Sequence, residues 1–569
     1  MARDEDDDDL PAGFEAVSRP PARSAGGGKA RGGKGKRKGT AGAVAMMRGS
    51  TGGDAQDDVG DDAASGQGEA VDDLSLRLAR EPHNDIGNSV RFRDRHGKHF
   101  MVIRDLGWHF YDGRCWNHEE GETQSLIHAQ KVAEALREEA KAIEAAGPRP
   151  REDEDAFEAR LERAWKWAAQ CGNKTRLLAM LEVASPHLMR NLEDLDTDPR
   201  LFNCQNGTLY LGPKGVVELR DHDPAHLITH VAPAAYDDNA AADVFLNFLE
   251  RVQPDPAMRA FLQRWFGYCL SGFWSEQVLV LFFGKGANGK STLVDLMRWL
   301  FGSYAVVLPP ESLVQDDRRS GGSATPDIAR LPGARLVPAS EFNQNARLDE
   351  SLVKRLTGGE TMTARHLNKG FFDFDPEFKV ILSSNHLPRI RGQEEGIWRR
   401  VLLVPFNEVI PRDERDADLM RKLKAEAAGI LAWCVDGWRA YASDGLNPPE
   451  TVRNATAEYR EDQDPLGLFL ATMTEPAAWT ETIGSSMLFS LYKDWARVNA
   501  ADPMSQTAFS NSLKARGFRK TKSSSMMWMG MKVNAKAQTE LNHALNMVSR
   551  HDDPLPATAD VGDGDDPLR

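Results

Sequence analysis

The chain has 569 residues, 41% of them hydrophobic and 27% charged, with a formal net charge of −14. That is enough apolar material for at least one sizeable core, and the length corresponds to roughly four domains or fewer. No run approaches the ~18 uninterrupted apolar residues of a membrane span, the acidic opening MARDEDDDDL is unlike a secretory leader, and five scattered cysteines (Cys115, Cys171, Cys204, Cys269, Cys434) exclude a disulfide scaffold or cysteine-rich zinc finger and fit a reducing cytoplasm.

Residues 1–73 hold 10 basic and 15 acidic residues, and residues 551–569 hold 1 and 6, so the body carries only −4. A negative total therefore does not exclude nucleic acid, which needs a local basic patch rather than a basic protein. Both ends read as disordered tails, because so polar a composition cannot bury enough apolar surface to offset the entropy of ordering. Within the first, GGGKARGGKGKRKG (26–39) is a basic, glycine-rich arm, either simply solvated or a nonspecific nucleic-acid tether.

Order is expected from Leu74. HFMVIRDLGWHFYDGRCWN (99–117) alternates around Asp112-Gly113, a hairpin signal. Helical spacing covers 124–146 and 156–183, and LFNCQNGTLYLG (201–212) reads as a hairpin turning at Asn206-Gly207. Nothing in 74–230 resembles a catalytic constellation, and Trp108, Trp116, Trp165 and Trp167 read as core residues. A helical pattern then covers 243–270.

QVLVLFFGKGANGKSTLVDLMRWLFG (277–302) is the most informative stretch. Val278–Phe283 is wholly apolar, as a buried parallel strand is. Gly284-Lys285-Gly286-Ala287-Asn288-Gly289-Lys290-Ser291 fits G-x-x-x-x-G-K-[ST] at every position, Thr292 follows, and a helix with Leu293, Leu296, Met297 and Leu300 on one face comes next. Such a loop wraps its N–H groups around a phosphate at a helix N-terminus. Lys290 can reach the β- and γ-phosphates and Ser291 can ligate Mg²⁺. The absence of an N-K-x-D motif disfavours GTP, leaving ATP.

Downstream, Leu336–Ala339 forms a short apolar strand ending at Ser340-Glu341, where a carboxylate could orient Mg²⁺ and activate water. Pro338 is expected near that strand's end or at a distortion, since proline cannot donate to a ladder. Val380-Ile381-Leu382 is followed by Ser383-Ser384-Asn385, whose amide can sense a γ-phosphate. Arg399 and Arg400 stand just before the apolar run VLLVPF, and guanidinium suits a transferring phosphoryl group. LVKRLTGGETMTARHLNKGFFDF (352–374) reads as a hairpin with His366 to Gly370 at its tip and Lys369 placed for a DNA phosphate. GILAWCVDGWRAYASDG (429–445) is helical. From Ser485 come a helix, a second helix capped by Ser505, and a short hairpin in SSSMMWMGMKV, the order of a winged helix, with Lys514, Arg516, Arg519, Lys520 and Lys522 clustered for DNA.

The order GKGANGKST, RLVPASE, KRLTGGETMTAR, VILSSNHLP, GIWRRVLLVPF resembles the superfamily 3 helicases of phages, plasmids and large DNA viruses, in their phage/plasmid primase–helicase branch. The resemblance covers about 75–535. It implies an α/β fold with an AAA+-like P-loop core, an α+β N-terminal domain and a C-terminal winged-helix module. It also implies a hexameric ring on single-stranded or forked DNA, driven 3′ to 5′ by ATP and Mg²⁺ in the cytoplasm of a bacterial host, with no membrane partner. By motif, Lys290 and Ser291 are the Walker A pair, Glu341 the Walker B acid and Asn385 the sensor. Lys354, Thr357, Gly358, Arg365 and Lys369 belong to the segment leading to the DNA-contacting hairpin. One of Arg399 and Arg400, with Arg400 preferred, is the finger reaching a neighbour's ATP. The expected organisation is a tail over 1–73, an N-terminal domain over 74–235, the ATPase over 236–445, a linker and winged helix over 446–535, and a tail over 536–569. Pro338 departs from the pattern. No primase constellation is evident, which implies a helicase half working with a separate primase or polymerase. A DNA-binding initiator or loader that does not unwind processively is the alternative.

Overall fold

The computed structural model describes residues 73–551 apart from 316–324, 345, 366–369, 500 and 524. The expected N-terminal tail, the acidic end beyond His551, and His366 and Lys369 lie outside the described residues. Among those described, no helix is long and apolar enough to cross a membrane, and all five cysteines are buried free thiols. The chain divides into two compact units, one of 1–98 with 123–188 and one of 99–122 with 189–569.

The first unit is helical: α1 (Asp73–Leu78), α2 (Asp85–His96), α3 (Gly121–Ala146), α4 (Glu154–Cys171) and α5 (Lys174–Ala184). Asn84 and Asp153 cap α2 and α4 by accepting backbone N–H bonds from Gly87 and Ala156. The single helical stretch expected over 156–183 is two helices, broken at Gly172-Asn173, where both residues favour non-helical backbone. Trp165 is not a core residue as expected but 38% exposed; it lies two residues from buried Trp167, on the other side of α4. Buried Arg91 is fully engaged, bonded to Glu139 at 2.7 Å and to the carbonyls of Leu78, Glu81 and Pro82.

The second unit opens with an antiparallel sheet of β1 (Phe100–Ile103), β2 (Gly107–Tyr111) and β3 (Trp116–Asn117), with β4 (Met189–Arg190) parallel to β1. The Asp112-Gly113 turn joins β2 to β3, and the Asp112 side chain accepts the N–H of Arg114 and of Cys115. A second antiparallel sheet holds β5 (Leu201–Cys204), β6 (Gly207–Leu211) and β7 (Val217–Arg220). Cys204 faces Gly207 across it, so the turn is Gln205-Asn206, one residue earlier than the Asn-Gly signal implies. The 243–270 pattern divides into α6 (Asp243–Val252) and α7 (Pro256–Leu270), with Asp255 capping the second.

β8 (Leu279–Phe283), α8 (Lys290–Phe301), β9 (Leu336–Ser340), α9 (Glu350–Gly358), β10 (Met362–Arg365), β11 (Phe371–Phe374), β12 (Lys379–Ser384), α10 (Glu395–Trp398) and β13 (Val401–Pro405) follow. β8, β9, β12 and β13 form one all-parallel sheet in the order β13-β8-β12-β9. Its near-continuous apolar strands are what burial on both faces demands. The hairpin expected over 352–374 is shorter, β10 with β11, because Asp349 caps residues 350–358 into α9. Pro338 is neither at the end of β9 nor at a break. It is the middle residue of an edge strand, and its carbonyl, like that of Leu336, turns away from β12 to accept from residues 306–308. Its missing N–H falls on that outer side, so the β9–β12 ladder loses nothing.

The chain continues with α11 (Leu419–Ala425), α12 (Ala427–Asp444), α13 (Glu450–Asp462), α14 (Pro465–Met473), β14 (Thr474–Pro476), β15 (Thr482–Gly484), α15 (Ser485–Val498), α16 (Gln506–Ala515), β16 (Lys520–Lys522), β17 (Met526–Met529), β18 (Met531–Val533) and α17 (Ala535–His551). Helices α14 to α16 enclose Phe469, Leu488, Tyr492, Phe509 and Leu513 beside an antiparallel sheet β15-β17-β16. Ser505 caps α16, accepting from Ala508 at 3.3 Å. The expected hairpin over 523–533 is displaced. β16 pairs β17, and Gly530 breaks the run, so that β18 pairs β14 instead.

Candidate functional site

Because its four strands are parallel, the sheet gathers the residues that follow them on one edge. There stand the loop 284–289 after β8, Glu341 after β9 and Asn385 after β12. The loop turns through positive φ at Gly286 (102°), Ala287 (51°) and Gly289 (82°). A Cβ at Gly284 would lie 2.1 Å from Asn288 Nδ2, and one at Gly289 would lie 2.4 Å from Val252 Cγ1, so only glycine fits at either place. Among the described residues no backbone N–H from Lys285 to Gly289 donates to a protein acceptor. The loop is pinned by its other groups: Asn288 Nδ2 donates to the Phe406 carbonyl at 2.9 Å, and the Ala287 carbonyl accepts from Ile410 at 2.8 Å.

Lys290 is buried, and its Nζ donates to Gly284 O (2.6 Å), Asn288 Oδ1 (3.0 Å) and Asn385 Oδ1 (3.0 Å). All three acceptors are neutral, and burial pulls the ammonium below the usual lysine range. Ser291 and Thr292 open α8 beside it, Ser291 exposed. Glu341 is exposed at φ 63°, a left-handed conformation uncommon for glutamate, and its N–H donates to Ser383 O at 2.9 Å. Lys290 and Asn385 are thus in contact, while Glu341 stands at the end of the neighbouring strand. A nucleotide phosphate fits this edge: backbone N–H groups with no protein acceptor, a helix N-terminus and a cation are the donor set an anion requires, and a hydroxyl and a carboxylate suit a hard divalent ion.

Arg399 and Arg400 are not part of this cluster. They precede β13, so they lie at the opposite edge, one five-residue strand or about 17 Å away. Arg400 donates to Gly396 O at 2.7 Å, and each arginine places Nη2 3.5 Å from Gln277 Oε1. Burial, then neighbouring Arg399, lowers the Arg400 pKa.

Two further groups carry the basic residues. Arg365 ends β10 with its guanidinium 5.0 Å from the Phe371 ring, and Phe371 is 60% exposed. In the C-terminal module Lys514, Arg519 and Lys522 are exposed, whereas Arg516 is bonded to Asp464 at 2.5 Å and Lys520 to Ser510 at 3.1 Å. The five do not form one free cluster.

Sequence reading missed the N-terminal edge of the sheet. Buried Arg335, just before β9, bonds Glu377 at 2.5 Å. Buried Lys379, opening β12, donates to Ser271 O and lies 4.4 Å from the Tyr268 ring. Charged residues abutting apolar strands were the available signal. The loop's supports, Phe406, Ile410 and Val252, gave none, since nothing local marks a contact made across so much chain.

A family model described as D5 N terminal like matches residues 89–254. A protein of Acanthamoeba polyphaga mimivirus with the provisional name helicase L207/L206 is 30% identical over 339 residues, 55% of this chain and 34% of that protein. The provisionally named helicase 022R of Frog virus 3 is 28% identical over 273 residues, covering 45% and 28%. The provisionally named primase C962R of African swine fever virus (isolate Pig/Kenya/KEN-50/1950) is 25% identical over 330 residues, covering 54% and 34%. The match spans about a third or less of the length of these relatives. Among solved structures the apo C-terminal region of NrS-1 (A form) superposes with a TM-score of 0.34 at 12% identity, over 59% of this chain and 96% of that one, a likeness too low to fix the fold. The chain is similar, over part of its length, to proteins of large DNA viruses that are provisionally named helicases and primases.

Proposed function

We propose that the chain is an ATP-dependent DNA helicase of phage, plasmid or prophage replication, working as a homo-oligomeric ring, hexameric by resemblance, on single-stranded DNA at a fork in the host cytoplasm. The observation that carries this reading is the Lys290 ammonium, held by neutral oxygens from both the 284–289 loop and the tip of β12. An arriving triphosphate offers that cation charged oxygens in place of neutral ones, and the exchange couples the nucleotide directly to Asn385. Gly284 to Thr292 cradle the phosphates through their backbone, and Asn385 positions the attacking water. Ser291 and Glu341 would hold Mg²⁺, which, when bound, neutralises charge on the β- and γ-phosphates.

Arg399 or Arg400 lies too far from its own loop to help there, and serves the ATP of the adjoining subunit. Arg365, His366 and Lys369 at the β10–β11 hairpin contact the DNA backbone in the channel. The module of α14 to β17 has the helix and strand order of a winged helix, and Lys514, Arg516, Arg519, Lys520 and Lys522 are its basic residues, of which Lys514, Arg519 and Lys522 are free to meet phosphates. Priming is left to a separate primase or polymerase.

The test is strand displacement on forked DNA with ATP and Mg²⁺, with Lys290→Ala as the blank. Displacement by the native chain and none by the variant is the expected result. ATP turnover stimulated by single strands without displacement would replace the helicase with an ATP-switched initiator or loader, a reading that the basic C-terminal module favours. Template-dependent synthesis of short primers, insensitive to Lys290→Ala, would refute the division of labour.

A further inference from the structure

We propose that Trp479, with Arg519 beside it, is a stacking platform for an unpaired base of single-stranded DNA, on the C-terminal module and separate from the motor's own hairpin. The inference deepens the DNA-binding reading above and rests on it.

Trp479 is 56% exposed, an unusual place for so large an aromatic surface. It is nonetheless firmly held. The turn that carries it, 477–481, joins β14 to β15 and is tied to Gly530 at both ends: Ala477 N–H donates to Gly530 O at 3.1 Å, and Gly530 N–H donates to Glu481 O at 3.2 Å. Within the turn, Glu481 N–H donates to Ala478 O at 2.8 Å. Gly530 has φ +80°, and a Cβ there would lie 3.2 Å from Trp479 Cε3, so the glycine lets the indole lie against bare backbone. An aromatic ring fixed this way loses little conformational freedom when a flat ligand covers it.

The Arg519 guanidinium is 5.6 Å from the Trp479 ring, and its own backbone is fixed by the Met529 N–H at 3.0 Å. With the guanidinium over the ring, a base that stacks takes the ring surface left exposed, and the cation turns to its phosphate. Exposed Lys514 and Lys522 extend that charge along α16 and the β16–β17 hairpin. The carboxylate of Glu481, in the same turn, disfavours a phosphate on that side, and Glu475 is paired with Lys532 at 3.5 Å. Arg516 and Lys520 are bound within the module and are not counted. The arrangement repeats the one at the motor hairpin, where Arg365 lies over exposed Phe371. Every base presents a π-face of the size of one indole, and the basic side chains on the same module favour a polyanion over an apolar protein surface.

The experiment uses the full chain and a short oligothymidylate carrying one 5-iodouracil, which on irradiation joins to an aromatic ring stacked on it. The expected crosslinked peptide contains Trp479. Trp479→Leu, checked for unchanged thermal unfolding, should lose that crosslink and bind the oligothymidylate on the order of 5- to 100-fold more weakly. The same variant should bind an abasic oligomer of equal length as the native chain does, whereas Lys514→Ala with Lys522→Ala should weaken both probes alike. Crosslinks confined to residues outside the module, with native affinity in Trp479→Leu, would overturn the platform and leave the motor's DNA binding standing. A change in self-association without a change in oligonucleotide binding would overturn it in favour of a protein-docking ring. Failure of the native chain to bind either probe in any nucleotide state would overturn the DNA reading itself.

Discussion

Two buried lysines bracket the parallel sheet, and both donate to backbone carbonyls. At the C-terminal edge Lys290 faces Gly284 O, Asn288 Oδ1 and Asn385 Oδ1. At the N-terminal edge Lys379 faces Ser271 O and the Tyr268 ring, with the Arg335–Glu377 pair beside it. Burial lowers the pKa of each, so a shifted lysine does not by itself mark a site. The surroundings separate them. Lys290 adjoins a loop of free N–H groups and an exposed strand tip, where an anion can arrive. Lys379 adjoins buried Tyr268 and Cys269 and a carboxylate already claimed by Arg335, so no anion can reach it, and its amine serves to satisfy Ser271 O inside the fold.

The sharpest way to break this division is at the arginines, the one part of the N-terminal edge assigned to catalysis. Arg400→Ala should bind ATP nearly as the native chain does and hydrolyse it roughly 10³-fold more slowly. Mixed with Lys290→Ala chains it should regain part of the steady-state rate, because each variant supplies what the other lacks across a subunit boundary. A defect in Arg399→Ala instead would move the role by one residue. Full hydrolysis by a protein that light scattering shows to be monomeric would end the ring mechanism.

A smaller effect, on stability alone, is expected for Glu377→Ala. Removing it strands the Arg335 guanidinium, whose side chain is 2% exposed, and breaking a buried pair in this way costs about 3–5 kcal/mol. Denaturant unfolding should register that loss while the ATP turnover of the folded fraction stays unchanged. A fall in turnover with native stability would make this edge part of the machinery.

The same contrast explains what could be read from the sequence. The 284–291 loop is legible because its chemistry is local: glycine spacing, a lysine and a hydroxyl within eight residues, between an apolar strand and an amphipathic helix. The parallel strands were legible as apolar runs, and Ser505 as a cap. The pairing of Arg335 with Glu377 was not, because two charges flanking different strands look like solvated ends until the sheet closes over them. Helix breaks at Gly172-Asn173 and Pro254 were lost because apolar spacing survives a turn. Pro338 misled because the rule against proline concerns a ladder, and its side of β9 faces away from β12.

The last effect is a pH slope, spread over several pH units. Burial first of all brings Lys379 to about 7, against about 10.4 for a lysine in an unfolded chain. Below pH 7 the side chain is charged in both states, and the folded protein bears the full cost of enclosing that charge. Between about 7 and 10.4 the unfolded chain binds a proton that the folded one has released, so native stability rises with pH across this window. Lys379→Met removes the titration. It also leaves Ser271 O without that donor, a loss that does not depend on pH. The stability of the variant relative to the native chain should therefore be most favourable near pH 6 and should decline steadily towards pH 10, whatever its absolute sign. Parallel urea titrations of the two proteins at several pH values measure that difference. A difference that stays level across the window would mean that Lys379 keeps its proton in the fold. The Arg335–Glu377 pair would then hold a charged lysine beside it, and the two ends of the sheet would be more alike than their surroundings imply.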